Sequence, residues 1–248
     1  MELTVIVGLI VGIGGILLGN IIEGGHIASL IQGAAAVIVL SGTAGAVIVS
    51  SKKRNLFEAL SMAKNAFFTQ DLQQSQLLNQ IIDLARQSKK DSLLSLEPSV
   101  SSLKNSFLKD VIRAAVDGVE PALIRKIFEK KIQVEEELEM ASAKVWVDAG
   151  GFAPTIGIIG AVLGLIHVMG NLSDTSKLGS GIAVAFVATV YGVGFANLVF
   201  LPLGARIKKS IEDESRLKEM MLEGGIGIAE GLNPALLEVK LKAYLEDR

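Results

Sequence analysis

Four long stretches of the chain carry no charged side chain, and this feature constrains the fold more than any other. They are Leu3–Ile22, Ile27–Ser51, Gly150–Ser173 and Leu178–Ala205. Each is long enough to cross about 30 Å of hydrocarbon as an α-helix that rises about 1.5 Å per residue. A lysine or aspartate at the centre of such a helix costs about 2.5–3.5 kcal/mol on insertion. We therefore predict four membrane spans, at about residues 3–22, 27–50, 150–172 and 179–204.

The basic residues that border these stretches predict the orientation. Three follow the second stretch and three follow the fourth: Lys52, Lys53, Arg54, Arg206, Lys208 and Lys209. The short loops at 23–26 and 174–177 carry a single lysine between them. Because cytoplasmic loops are enriched in lysine and arginine, we predict that both termini and the long middle segment lie in the cytoplasm.

The middle segment, residues 52–148, is densely charged and its apolar residues follow helical spacing. Two predicted faces consist of Leu77, Leu78, Ile81, Ile82 and Ala85, and of Leu103, Phe107, Val111 and Ala115. Asp117–Gly118 is expected to end the second of these helices, because glycine suits a left-handed C-terminal position. Pro121 suits the first turn of the next helix. That helix is predicted to run into the third span along the stripe Leu123, Ile127, Val134, Leu138 and Val145.

A helical tail, residues 206–248, is predicted after the fourth span. Ile207, Ile211 and Met221 suggest that the fourth helix continues, and Gly224–Gly225 is expected to break it. Asn233–Pro234 supplies an N-cap and a first-turn proline for a final helix over Ala235–Leu245. Since we find no strand pattern, the predicted fold is all-α, with domains at 1–51, 52–148, 149–205 and 206–248.

The composition argues against several classes of function. A net charge of −2 is not that of a general nucleic-acid-binding protein. The chain has no cysteine and two distant histidines, which leaves no thiol nucleophile and no pattern for a metal site. The glycines between Gly12 and Gly19 resemble a nucleotide-binding loop, but no strand precedes them and no lysine closes them. We predict a protein that is not an enzyme and needs no cofactor.

The third and fourth spans contain no aspartate, glutamate, lysine or arginine. Their polar residues are Thr155, His167, Ser180, Thr189, Tyr191 and Asn197. An ion pathway normally shows an ionisable residue inside the membrane, so conduction here would require a carboxylate from another chain. Alternatively, these are packing positions whose hydroxyls bond back to their own helix. The residues alone leave both interpretations open.

Several motifs, in the same order as the predicted spans, resemble those of the MotA/PomA flagellar motor stator subunits. Ala153–Gly160 followed by Gly164–Leu165 is similar to the family's third span, and Val187–Gly192 followed by Asn197 and Phe200–Pro202 to its fourth. Phe107–Leu108 with Val116–Gly118 is similar to the family's cytoplasmic core, and Glu230–Pro234 to its tail. The resemblance covers essentially the whole chain.

The resemblance implies a specific machine in the bacterial inner membrane. Such subunits form a ring, thought to be five copies, around a pair of single-span partners of the MotB/PomB type. The partner supplies the ion-binding aspartate and a domain that grips peptidoglycan. Ion flow turns the ring, and its cytoplasmic parts push the rotor switch protein of the flagellar motor.

The resemblance also implies site residues. Those of the ion pathway would be Pro154, Thr155, Ala161, Ala188, Thr189 and Pro202, and those of the rotor contact Lys89, Lys90 and Glu97. In sodium-driven relatives, threonines occupy the positions of Ala161 and Ala188, and a dehydrating Na⁺ requires oxygen ligands. Because these two side chains offer none, we expect H⁺ rather than Na⁺ as the coupling ion.

Two other classes remain as alternatives. The related ExbB/TolQ energisers also form rings around single-span partners, but they have three spans rather than four. A static membrane scaffold would use its small residues for packing alone, and a measurement of ion flow or of torque separates it from a motor. A secondary transporter is disfavoured, since the sequence shows no inverted repeat or broken-helix pair with a buried charge.

Overall fold

In a computed structural model of the chain, residues 3–66, 74–170 and 175–245 are described. These residues form ten α-helices, two short 3-10 turns and one π-helical turn, and they include no strand. The helices are α1 (Leu3–Ile22), α2 (Gly33–Ser50), α3 (Lys53–Ala66), α4 (Gln74–Asp91), α5 (Glu97–Ser102), α6 (Ser106–Val116), α7 (Pro121–Met169), α8 (Thr175–Phe195), α9 (Leu201–Ala229) and α10 (Pro234–Lys242).

Four segments of the described chain are long and apolar enough to cross a membrane, which confirms the predicted all-α fold with four spans. They are Thr4–Ile22, Ile27–Ser50, Pro121–Met169 and Gly181–Ala229. The second begins with a 3-10 turn at Ile27–Leu30, and its α-helix starts only at Gly33. The predicted end of the third span at 171–172 and the start of the next loop at Asp174 lie outside the described residues.

The chain divides into two compact units. The first comprises residues 1–69 and 139–209, and the second comprises residues 70–138 and 210–248. The segment predicted to be cytoplasmic between the second and third spans therefore contributes residues to both units.

Within the first unit, hydrogen bonds connect α3 to the start of the third membrane helix. The indole Nε1 of Trp146 donates to the carbonyl oxygen of Ala59 at 2.9 Å, and the hydroxyl of Ser142 donates to the Glu58 carboxylate at 2.7 Å. At another point of this unit, the Tyr191 hydroxyl of α8 donates to the carbonyl oxygen of Leu30 at 2.6 Å. These bonds give partners to the Trp146 indole and to the hydroxyls of Ser142 and Tyr191 within the unit.

The second unit has a single large apolar core built from α4, α6, the first part of α7, the last part of α9, and α10. The predicted α4 face is confirmed, because Leu77, Leu78, Ile81, Ile82 and Ala85 are all buried. On α6, Phe107, Val111 and Ala115 are also buried. Gly118 has a φ of +76°, so the helix ends in the left-handed conformation that the sequence predicts.

The long helix α7 begins at Pro121, as predicted, and Val145 of the predicted stripe is buried, but the other four residues of that stripe are not. Leu123, Ile127, Val134 and Leu138 are 41–51% exposed. The core is instead filled by the neighbouring stripe, in which Ile124, Phe128 and Ile132 are each less than 9% exposed. The two stripes have the same helical period and lie about 100° apart, so periodicity could not distinguish them.

The predicted helix break at Gly224–Gly225 is wrong, because α9 continues without interruption to Ala229. A Cβ on Gly224 would lie 2.6 Å from Ile81 Cγ2, and one on Gly225 would lie 2.3 Å from Val111 Cγ1. Both glycines are therefore present for close packing against α4 and α6 rather than for a turn. The tertiary contacts outweigh their low helix propensity, which is about 1 kcal/mol per glycine relative to alanine.

The predicted start of the last helix is confirmed. The Asn233 side chain accepts a hydrogen bond from the backbone N–H of Ala235 at 2.9 Å, and Pro234 occupies the first turn. The helix ends at Lys242, three residues before the predicted Leu245.

Candidate functional site

The backbones of the third and fourth membrane helices touch. A Cβ on Gly192 of α8 would lie 2.6 Å from the carbonyl oxygen of Ala153 and 3.0 Å from Gly157 Cα, both in α7. Further along, a Cβ on Gly164 would lie 2.8 Å from the backbone nitrogen of Ala185. No space for an ion remains between the two helices at these levels. An ion could therefore not pass between α7 and α8 at these levels.

Ala188 lies inside this packed region. It is fully buried and belongs to a small core with Ala35 and Val39 of α2 and with Val187. A Cβ on Gly160 would lie 2.7 Å from Ala188 Cβ. A larger side chain at position 188 would therefore meet α2 and α7 rather than an open surface.

The two threonines predicted for the ion pathway differ in exposure. Thr155 is exposed, and its hydroxyl donates to the carbonyl oxygen of Phe152 at 2.8 Å. Thr189 is half-buried, and its hydroxyl donates to the carbonyl oxygen of Ala185 at 3.4 Å. Both hydroxyls thus bond back to their own helix. Each oxygen keeps lone pairs that can accept a proton or bind a cation.

The two prolines predicted for the ion pathway lie inside membrane helices. Pro154 is half-buried within α7, which continues on both sides of it. Pro202 is exposed and directly follows a π-helical turn at Ala196–Phe200, in which the N–H of Leu201 donates to the carbonyl oxygen of Ala196. Proline has no N–H, and its ring clashes with the carbonyl four residues earlier. The wider turn relieves this clash, and such turns are frequent at functional sites.

The six predicted pathway residues do not form one cluster within a single chain. Pro154 and half-buried Ala161 are seven residues apart and share a helix face, whereas Thr155 lies about 100° around α7. Ala188 is interior, and Pro202 is exposed at the start of α9. Their assignment to an ion pathway remains a prediction.

The predicted rotor-contact residues surround a tight connection in the second unit. Lys89 and Lys90 are in the last turn of α4, a 3-10 turn spans Leu93–Leu96, and Glu97 begins α5. All three charged side chains are exposed. The Lys89 ammonium donates to the carbonyl oxygen of Gly231 at 2.9 Å. No bond of this kind occurs for Lys90 or Glu97 within the described part of the chain.

Sequence reasoning missed the residue that holds this connection in place. The side-chain amide of Gln87 donates to the carbonyl oxygen of Ser95 at 2.8 Å and accepts from the Ser99 hydroxyl at 3.1 Å. These bonds fix the position of Glu97 relative to the end of α4. The apolar Leu94, 69% exposed, lies in the same connection. A charged surface with an exposed apolar side chain is suited to contact with another protein.

A charge cluster that the sequence did not reveal connects three helices of the second unit. The carboxylate of Glu223 in α9 accepts hydrogen bonds from Arg125 of α7 and from Lys240 of α10. Burial alone would raise the pKa of Glu223, but the bonds from Arg125 and Lys240 outweigh it and hold this pKa below its ordinary value of 4.5. The carboxylate is therefore ionised at neutral pH.

A second charge cluster has a cation, Lys218, at its centre, where the first has a carboxylate. The ammonium of Lys218, whose side chain is 10% exposed, lies 3.0 Å from a Glu214 oxygen and 3.2 Å from a Glu135 oxygen. Burial acts to lower the pKa of Lys218, but the two carboxylates overcome it and raise this pKa. Both clusters thus keep their charges and link α9 to α7.

These features define the class of the protein. It is a multi-pass helical membrane protein. In one unit, the uncharged membrane-spanning parts of α7 and α8 pack with their backbones in contact. In the other unit, helices surround an apolar core and are connected by ion pairs. Among the described residues, no group of three or more histidine, aspartate or glutamate side chains is arranged to hold a metal ion.

Comparisons with known proteins place the chain within this class. The profile of the MotA/TolQ/ExbB proton channel family matches residues 99–220, and that of the motility protein A N-terminal region matches residues 6–92. Motility protein A of Helicobacter pylori is 31% identical over 245 residues, which are 99% of this chain and 95% of that protein. The chain belongs to the MotA/TolQ/ExbB proton channel family, in its motility protein A branch.

Solved structures agree over nearly the whole length. The C. jejuni MotAB structure superimposes with a TM-score of 0.94 at 32% identity, and covers 99% of this chain and 96% of that one. The flagellar MotAB stator complex from Bacillus subtilis gives a TM-score of 0.89 at 30% identity, with coverage of 98% and 96%.

Proposed function

We propose that this protein is the ion-channel-forming stator subunit of a bacterial flagellar motor and acts as a channel and force generator rather than as an enzyme. The observation that carries the proposal is the full-length likeness to motility protein A chains and to MotAB stator complexes. The match of the motility protein A N-terminal profile to residues 6–92 favours this branch over ExbB/TolQ-type energisers.

The subunit works with a single-span partner of the MotB/PomB type. The third and fourth spans contain no aspartate, glutamate, lysine or arginine, and the backbones of α7 and α8 are in close contact at Gly157, Gly164 and Gly192. The membrane carboxylate therefore comes from the partner, which lies against the outer surface of the α7–α8 hairpin. A ring of copies of this chain, five in the arrangement that the family resemblance implies, surrounds the partner pair.

Both termini and the second unit lie in the cytoplasm. Basic residues directly follow the second and fourth spans, which supports this orientation. In this orientation the exposed surface formed by Lys90, Leu94 and Glu97 faces the rotor switch protein. One elementary charge that crosses the membrane releases about 2.3 kcal/mol per 100 mV, so repeated transits are needed for sustained torque.

The coupling ion is H⁺. A sodium ion needs several oxygen ligands in place of its hydration shell, whereas Ala161 and Ala188 carry none and Ala188 is fully buried. Thr189 and the partner's carboxylate supply two oxygen-bearing groups, which suffice for a proton relay.

Motility in a bacterium that lacks its own stator tests the proposal. In the experiment, the strain expresses this chain with its partner. We expect it to swim at the same speed when Na⁺ is replaced by K⁺ at constant pH and ionic strength. Swimming that stops without sodium and returns in proportion to its concentration would reject the proton assignment. A correctly inserted complex that never restores swimming would instead favour a static scaffold.

A partner whose membrane aspartate is replaced by asparagine provides the control. Asparagine has nearly the same size as aspartate but no titratable group, so the motor should stop while the complex still assembles. Continued swimming with this partner would contradict the assignment of the ion-binding carboxylate.

A further inference from the structure

Helix α3 begins where the second membrane span ends. The span's helix α2 ends at Ser50, and α3 starts at Lys53. The residue that caps α2, Ser51, is extended, with φ −113° and ψ 148°. The chain therefore leaves the axis of the second span at this point, and α3 is a separate helix that starts at the membrane boundary.

The middle of α3 is held at the residues that directly precede the third span. The Trp146 indole donates to the Ala59 carbonyl oxygen, and the Ser142 hydroxyl donates to the Glu58 carboxylate. Ala59 and Ala63 are buried, so they mark the inner face of α3. Tryptophan is enriched at the interface between lipid and water. These contacts keep α3 along the membrane boundary and fix which of its faces is turned outward.

One line of side chains runs along the outward face of α3: Lys53, Phe57, Leu60 and Lys64. Their spacings of four, three and four residues place them on the same side of a helix. Phe57 is 65% exposed and Leu60 is 62% exposed. Two apolar side chains between two lysines form the pattern of a helix that lies in the plane of a membrane. The lysine stems then lie along the hydrocarbon, and their ammonium groups reach the head groups.

The charge of α3 favours an anionic surface. The helix contains three basic residues, Lys53, Arg54 and Lys64, and a single acidic residue, Glu58. Arg54 pairs with the Glu58 carboxylate at 3.4 Å. Neither lysine has a hydrogen-bond or ion-pair partner in the part of the chain that the structure describes. Both ammonium groups therefore remain available to the negative potential that anionic lipids create at the cytoplasmic leaflet.

We propose that the outward face of α3 docks on the cytoplasmic leaflet and binds anionic phospholipids. Phe57 and Leu60 enter the boundary between head groups and acyl chains, and the ammonium groups of Lys53 and Lys64 contact lipid phosphates. Continuity with the second span favours this occupant over a second copy of the chain, because the face begins where that span leaves the membrane. The choice of leaflet rests on the proposed orientation. None of these residues belongs to the proposed ion pathway or rotor contact.

Fluorescence quenching by lipids tests the inference. The chain contains no cysteine, so Ser61→Cys on the exposed side of α3 provides one site for an environment-sensitive fluorophore. The labelled complex, with a cysteine-free partner, is reconstituted into liposomes of phosphatidylglycerol and phosphatidylcholine that carry a nitroxide on some acyl chains. We expect quenching about threefold stronger than that of the same fluorophore at Lys126→Cys. Lys126 is the matched control, because it is exposed on α7 and far from any predicted span in the sequence.

Paired variants of the complex labelled at position 61 test the charges. Lys53→Gln combined with Lys64→Gln should reduce the quenching about twofold, to the level of the unsubstituted labelled complex in phosphatidylcholine alone. Lys104→Gln combined with Lys126→Gln is the control, because it removes the same charge from exposed positions outside α3. This control should keep the full quenching in liposomes that contain phosphatidylglycerol.

The apolar side chains are tested in the same way. Phe57→Ala should also reduce the quenching, because less apolar surface then enters the lipid. Leu236→Ala should not, since Leu236 is 61% exposed but belongs to α10. All of the substituted side chains are exposed, so the variants should fold as the unmodified protein does.

Equal quenching of the fluorophores at positions 61 and 126 overturns the inference. A fluorophore at position 61 whose emission is blue-shifted but not quenched by lipid also overturns it, because protein would then cover this face. Quenching that changes neither without phosphatidylglycerol nor in the double lysine variant rejects the anionic lipid. The unmodified complex should restore swimming in each of these cases, so the proposed motor function stands or falls separately.

Discussion

At the scale of single residues, two adjacent lysines have different surroundings. The Lys89 ammonium is bonded to the Gly231 carbonyl oxygen beyond the end of α9, whereas Lys90 makes no such bond to any described residue. Gln87 fixes the connection that carries Glu97. The charges available to the proposed rotor surface are therefore those of Lys90 and Glu97, and Lys89 also has a structural role.

The first prediction concerns these charges. Lys90→Glu and Glu97→Lys should each lower swimming speed strongly while the amount of protein in the membrane stays unchanged. Exposed charges contribute little to stability, typically within about 0.5 kcal/mol. Lys126→Glu is the control, because Lys126 is exposed on α7 outside this surface. Normal swimming in both test variants contradicts the rotor contact, and loss of the protein from the membrane indicates a structural role.

The second prediction concerns Glu223, which holds Arg125 and Lys240 together. Glu223→Gln leaves two cations without their shared partner and should destabilise the protein at pH 7 by about 1–2 kcal/mol. The expected loss is modest because both cations are 40–45% exposed and can reach water. Thermal unfolding of the purified protein in detergent measures the effect.

The pH dependence of this effect follows from the direction of the shift. Because the pKa of Glu223 in the folded protein lies below 4.5, the stabilisation is complete above that pH and disappears as the pH falls through the folded-state pKa. The difference in Tm between Glu223→Gln and the unmodified protein should therefore shrink below about pH 4.5. If that difference instead stayed constant through strongly acidic pH, an ionised Glu223 would be ruled out.

At the scale of elements, the glycines of α8 determine how closely it approaches α7. Gly192 lies against the Ala153 carbonyl oxygen, whereas a Cβ on Gly194, two residues further on, would have no neighbouring atom within 4 Å. The same residue type thus has a packing role at one position and none at the other. Small residues at membrane-helix interfaces allow this kind of contact.

The third prediction compares these two glycines. Gly192→Ala forces the helices apart and should lower the Tm in detergent, with a cost of about 1–3 kcal/mol for overpacking. Gly194→Ala should leave the Tm unchanged or raise it slightly, because alanine favours helix by about 1 kcal/mol relative to glycine. Equal effects of the two substitutions would show that α7 and α8 are not in contact in the membrane.

At the scale of the whole molecule, the uncharged spans make the chain dependent on its partner for ion flow. No aspartate, glutamate, lysine or arginine occurs in the predicted third or fourth span. An ion that crosses the hydrocarbon without such a group meets a large electrostatic barrier. Conduction is therefore expected to be a property of the complex rather than of this chain.

The fourth prediction follows directly. Liposomes that contain this chain alone should keep an imposed pH gradient, as measured with an internal pH-sensitive dye. Liposomes that contain the chain with its partner should lose the gradient, and a partner with asparagine in place of its membrane aspartate should preserve it. Rapid loss of the gradient with the chain alone contradicts the proposal.

The sequence by itself determined the number of spans, the all-α class and the family. These properties depend on local information, because a membrane helix needs a charge-free length and the family motifs are short contiguous segments. Helix ends at Gly118 and Asn233 were predictable for the same reason, since capping involves residues only a few positions apart.

Only the tertiary structure decided which surfaces are covered. In the first part of α7, Ile124, Phe128 and Ile132 are buried, whereas the predicted Leu123, Ile127, Val134 and Leu138 are exposed. The tertiary structure also kept Gly224 and Gly225 inside α9, where they contact Ile81 and Val111. These glycine contacts join residues that lie far apart in the chain. Periodicity and propensity describe one helix at a time, so neither contains that information.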